Sequence, residues 1–71
     1  MTREEFIKKA IKNGVQNDST NVWVDIDDVV CIISIDDVLD YAETYPFEAS
    51  DYLESNPDDR AWDVLYNQYL A

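Results

Sequence analysis

The chain has 71 residues, sixteen of them Asp or Glu against five Lys and Arg and no His, for a formal charge of −11 at pH 7. That balance disfavours direct partners that attract Lys and Arg, such as a nucleic-acid backbone or an anionic membrane surface. One cysteine without histidine leaves no internal disulfide and no zinc-type ligand set, and nine aromatic residues are too many for a disordered acidic tail.

Thr2-Arg3-Glu4-Glu5 reads as a capping box, in which the Thr hydroxyl and the Glu5 carboxylate each take the other's backbone N–H. Phe6, Ile7, Ala10 and Ile11 follow at helical spacing, and Gly14 stands where a left-handed residue ends a helix. Lys8, Lys9 and Lys12 suit the C-terminal end of that helix dipole. They also stand ready to neutralise acids of this chain or of a second copy. Gln16 to Asn21 is polar and reads as a loop.

Val22, Val24 and Ile26 alternate with Trp23, Asp25 and Asp27, the period of a strand with one buried face. Asp27-Asp28 supplies a turn. Val29-Val30-Cys31-Ile32-Ile33 has four β-branched residues in five, whose stiff side chains suit a pleated surface. The pair reads as a two-stranded antiparallel hairpin, which needs helices over one face to be stable.

Ser34 is placed to cap a second helix, with Asp36 and Asp37 in its first turn and Ile35, Val38, Leu39 and Ala42 as its apolar stripe. Pro46 limits that helix to about Thr44, and then suits the first position of a third helix running to about Glu54. Asn56-Pro57-Asp58-Asp59 gives the start signal of a last helix carrying Ala61, Trp62, Leu65, Tyr66 and Tyr69. The expected architecture is a single acidic α+β domain over residues 1–71: an N-terminal helix, a two-stranded hairpin and three C-terminal helices. The alternative is an all-helical bundle with Val29–Ile33 as buried helix. No apolar span reaches 18 residues and no signal peptide is visible, so a cytoplasmic setting is expected.

Nothing in this pattern calls for catalysis or a cofactor. Paired carboxylates among Asp25, Asp27, Asp28, Asp36 and Asp37 echo acid–base chemistry, but no His or Gly-rich loop accompanies them. The chain also looks too short for a pocket of a few hundred Å3. Cys31 has no His to activate it and reads as core. Asp25-Ile26-Asp27-Asp28 resembles an EF-hand start, yet Val30 occupies the position of the required Gly and Asp36 that of the bidentate Glu. No metal site is expected.

The informative feature is the run from Asn13 to Asp59, which holds thirteen acids and no Lys or Arg. Such a face normally mixes signs, because opposite charges at i,i+4 stabilise a helix and like charges destabilise it by about 0.2–0.5 kcal/mol. On the expected second helix Asp36, Asp40 and Glu43 would form one ridge, rising about 6 and 4.5 Å between them. Duplex DNA places a charge about every 3.4 Å on each strand, so this ridge approximates a row of phosphates. The plainer account is a solvated face. Asp37, Phe47, Glu48, Asp51 and Glu54 complete the candidate partner-binding set, with Phe47 as an aromatic anchor against an Arg-rich surface.

The expectation is an acidic nucleic-acid mimic that occupies the basic nucleic-acid-binding surface of another protein. Mobile elements use such inhibitors against restriction and CRISPR machinery. The second reading is an acidic binding module, or immunity-type inhibitor, of a basic protein that handles no nucleic acid. A homodimer is the third.

Overall fold

The computed structural model describes residues 1–38 and 48–71. The chain order is helix α1 (Arg3–Asn13), strands β1 (Gln16–Asn17), β2 (Asn21–Ile26) and β3 (Val29–Ser34), a 3-10 turn (Ile35–Asp37), then helices α2 (Ala49–Ser55) and α3 (Ala61–Leu70). The strands form one antiparallel sheet in the order β1-β2-β3. The class is α+β as expected, but the count differs. The sheet has three strands instead of two, and two helices are described after it instead of three. The all-helical alternative fails because Val29–Ser34 pairs with Asn21–Ile26 along its whole length.

The capping box forms: the Glu5 N–H donates to the Thr2 hydroxyl and the Thr2 N–H to the Glu5 carboxylate. Gly14 ends α1 at φ 95°, its N–H donating to the carbonyls of Ala10 and Ile11. The sequence reading places β1 in a loop, because two polar residues carry no hydrophobic period. An Asx turn sets its pairing instead. The Asp18 carboxylate accepts the N–H groups of Thr20 and Asn21 at 2.8 Å each and brings Gln16 and Asn17 opposite Trp23 and Val22. The turn at Asp27-Asp28 is present as expected, with φ of 53° and 67°. Two positive φ values match the right-handed twist of a two-residue hairpin.

The second helix does not begin at Ile35. Ser34 does cap, accepting the Asp36 N–H, but the turn stops at Asp37 and Val38 is extended at φ −80°, ψ 123°. Residues i and i+3 eclipse on a 3-10 turn. Ile35 and Val38 are so spaced, and both are buried, 6% and 3% exposed. Leu39, Ala42 and Thr44 lie outside the described residues, as does Pro46. α2 starts at Ala49, so Pro46 is not its first residue. The Asn56-Pro57-Asp58-Asp59 signal marks a turn that precedes the last helix. The buried Asp59 carboxylate takes the Ala61 N–H at 2.8 Å, and α3 starts there.

The core lies between the inner face of the sheet and α1, α2 and α3. Val22, Val24, Ile26, Cys31 and Ile33 point inward with Phe6, Ala10, Ala49, Leu53, Trp62 and Leu65. Phe6 is its aromatic centre. Trp62, Tyr66 and Tyr69, at i, i+4 and i+7 of α3, place their rings 6.4, 5.4 and 5.4 Å from it in tilted or edge-on geometry, the arrangement favoured by ring quadrupoles. The buried Trp62 indole donates to the Leu53 carbonyl at 3.0 Å and ties α3 to the end of α2.

Side-chain amides cap part of each sheet edge. In an antiparallel pair alternate residues turn their N–H and C=O away from the partner strand. On β3, Ile32 is one of these, and Gln68 of α3 takes both groups: the Ile32 N–H donates to Oε1 at 2.8 Å and Nε2 donates to the Ile32 carbonyl at 2.7 Å. On the other edge, beyond the short β1, the Asn13 side chain donates to the Asp25 carbonyl. An open strand edge is a template for unwanted pairing, and these two amides occupy it.

Candidate interaction surface

Charge is segregated by element. Four of the five bases, Arg3, Lys8, Lys9 and Lys12, lie on α1, and Arg60 precedes α3. Among the described residues two of them are paired within the chain. Arg3 pairs with Asp63, and Lys9 Nζ lies 2.7 Å from Asp27 Oδ1, while the Tyr69 hydroxyl donates to the other oxygen of Asp27 at 2.9 Å. This three-way contact ties α1, the hairpin turn and α3 together. The Lys9 ammonium, then the Tyr69 hydroxyl, hold the Asp27 carboxyl below its ordinary range, and the same contacts push Lys9 and Tyr69 up.

One group of acids gathers at the opposite end of the sheet. Ile35 N–H donates to the Thr20 carbonyl, so the 3-10 turn with Asp36 and Asp37 abuts the Asp18 turn. Asn17 Oδ1 accepts the Ser50 N–H at 3.1 Å and brings in the first turn of α2, with Glu48 and Asp51. Asp18, Asp36, Asp37, Glu48 and Asp51 are all exposed.

Of the residues expected to bind a partner, Asp36, Asp37, Glu48 and Asp51 therefore share one end of the molecule. Glu54 sits at the far end of α2, half-buried, and its carboxylate accepts the Val15 N–H at 3.2 Å, an internal tie. Asp40, Glu43 and Phe47 lie outside the described residues. Asp36 belongs to a 3-10 turn that ends before the extended Val38, so the expected helical ridge does not start from it.

Sequence reasoning missed the apolar outer face of the sheet. Trp23 stands directly opposite Ile32, and Asp25 opposite Val30, all four on the side away from the core. Val30 is 59% and Ile32 46% exposed, and Trp23 is half-buried. The signal was present in the sequence: a continuous β-branched run in a strand with only one covered face must expose every second member.

The EF-hand echo separates in space. Asp25 faces outward on β2 while the Asp27 carboxylate is held by Lys9 and Tyr69. Among the described residues no cluster of three or more acidic or Cys side chains is arranged to hold a metal ion. Cys31 is fully buried, and burial pushes its thiol up. A groove of about 360 Å3, of the size thought beyond this chain, opens between α1 and the turn before α3. Its lining mixes Arg3, Lys8, Glu4 and Asp58 over Ile7, Ile11 and Pro57. No described helix is long and apolar enough to cross a membrane. No family model, curated protein or solved structure matches the chain.

Proposed function

We propose that this protein binds a basic protein and covers the surface on which that partner holds nucleic acid, acting as an acidic mimic of the kind that blocks restriction or CRISPR enzymes. One observation carries the reading. Asp18, Asp36, Asp37 and Asp51 are exposed at an end of the fold joined by β1, the 3-10 turn and α2, while the described bases belong to α1 and the segment before α3. Like charges held together repel, and a cationic partner removes that cost. The replacement of a helical ridge by a turn and a helix start changes the shape of the mimic: its charges cluster at one end and do not run in a line. The setting is cytoplasmic, where restriction and CRISPR enzymes act.

The test is a competition on the partner recovered by affinity capture, with wild type and a D36N/D37N/D51N variant whose fold is verified by circular dichroism. Each carboxylate that meets a desolvated Arg contributes about 1–3 kcal/mol to binding, and an exposed one far less. Nucleic acid should displace wild type from the partner, and the triple variant should bind more weakly. If nucleic acid and wild type sit on the partner together, the protein is an acidic module for another basic surface. If the folded variant binds as tightly as wild type, these acids are a solvated face.

A further inference from the structure

The inner face of the sheet is closed by α1 and α3, and the residues it presents there are 0–5% exposed. The outer face carries Trp23, Val30 and Ile32 as a contiguous group, because direct pairing sets Trp23 beside Ile32 and the next outward pair is Asp25 with Val30. Val30 and Ile32 keep about half of their surface in water. Acids surround this apolar group. Asp25 lies within it, Asp28 stands at the hairpin turn, and Asp36 and Asp37 follow the far end of β3.

We propose that this outer face is the anchor of the partner interface: Trp23, Val30 and Ile32 pack against an apolar group on a basic protein, and Asp25 with the acids at the strand ends pairs with the Lys or Arg residues around it. The inference rests on the reading of a basic protein partner and adds where it is held. Charge decides the occupant. Two copies packed face to face would set Asp25 and both acidic margins against their own kind, each chain carrying −11. Nucleic acid and anionic lipid are repelled for the same reason. A protein surface that offers apolar side chains between bases satisfies both halves of the pattern. Interfaces commonly have such an apolar centre within a polar margin. The anchor also supplies what charge alone lacks, since contacts between exposed charges weaken as salt rises while apolar burial persists.

Nuclear magnetic resonance titration of the intact protein tests this, with three synthetic peptides as probes: alternating Arg and Leu, alternating Arg and Ser, and alternating Ser and Leu. The Arg-Leu peptide should shift the Trp23 indole and the amides of Asp25, Val30 and Ile32, and leave the buried Trp62 indole in place. It should bind about tenfold more tightly than the Arg-Ser peptide, as expected for filling an apolar centre. A V30T/I32T variant keeps β-branched shapes at exposed positions, and it should reduce the Arg-Leu affinity to the Arg-Ser level while D36N/D37N lowers both together.

Shifts confined to the Asp18, Asp36 and Asp51 end with equal affinity for the two basic peptides would overturn the anchor and leave the basic-partner reading standing. Binding of the Ser-Leu peptide alone, or no binding of any peptide, would overturn both. A dimer in sedimentation that V30T/I32T dissolves would assign the face to a second copy and sink the proposal.

Discussion

Gln68 closes the β3 edge with one side chain, and its removal has a measurable cost. Its amide makes two neutral hydrogen bonds to Ile32, of 2.8 and 2.7 Å, each worth about 0.5–1.5 kcal/mol net and toward the low end at an exposed edge. Gln68→Ala loses both and recovers a few tenths of a kcal/mol of helix propensity, so the net loss is about 1 kcal/mol. For a domain of this size that is a fall in melting temperature of roughly 4–8 °C. Gln68→Glu separates hydrogen bonding from bulk. At pH 7 its carboxylate still accepts the Ile32 N–H but sets a charge against the Ile32 carbonyl, so it should lose at least as much as the Ala variant. The penalty is expected at neutral pH and should shrink as pH falls and the carboxyl protonates, because the protonated acid can donate to the Ile32 carbonyl. Thermal melts of the three proteins at pH 7 and pH 4 give the comparison, and amide hydrogen exchange gives the local readout. The Ile32 N–H should be protected in wild type and exchange quickly in Gln68→Ala, with the amides of Cys31 and Ile33 less affected. An Ala variant that melts within a degree of wild type with Ile32 still protected would show that the edge is closed by something other than Gln68.

Three other outcomes follow from the charge pattern and the turn. Raising NaCl to ~0.5 M should raise the melting temperature, because screening relieves repulsion among acids that far outnumber bases; a fall would mean that ion pairs such as Lys9–Asp27 dominate. The carboxyl of Asp27 is held below its ordinary value of 3.8, so its stabilising effect is present above about that pH and disappears as pH falls through the lower folded value. Melting curves of wild type and Asp27→Asn should therefore be offset by a constant amount well above pH 3.8 and converge as pH falls below it, and an offset unchanged between pH 2 and 6 would refute the assignment. Asp28 holds φ 67° without a glycine, so Asp28→Gly should raise stability by about 1 kcal/mol, checked by urea unfolding, and a loss would show that the Asp28 side chain holds the turn.

What the sequence made legible were features written in adjacent residues. The capping box of α1, the glycine that ends it, the alternation of β2 and the β-branched run of β3 each depend on a few neighbours, and each forms. The errors arise where a distant contact overrides a local signal. Ser34-Ile35-Asp36-Asp37 has the chemistry of a helix start, and Ser34 does cap; Ile35 is nevertheless pinned to the Thr20 carbonyl and Val38 is drawn into the core, so the turn closes after three residues. β1 carries no period because two residues cannot show one, and its pairing is dictated by Asp18 and by the α2 N–H that Asn17 accepts.

The same distinction governs the interaction surface. A count of charges along the chain finds the excess of acid but cannot place it, since the backbone folds Asp18, Asp36 and Asp51 to one end through contacts 15 to 33 residues apart in sequence. Once placed, they leave the β-branched run in a new light. Val30 and Ile32 read as core in a list of residues, yet pairing with Asp25 and Trp23 turns them outward, beside the acids and away from α1, the element holding most of the bases. A sequence selected only for solubility has no reason to keep two half-exposed β-branched residues beside a tryptophan on the outer face of the sheet. Acids give reach and selectivity for a cationic partner but little hold in salt, and apolar side chains give hold without selectivity. Their juxtaposition on one hairpin is the ground for proposing a protein partner.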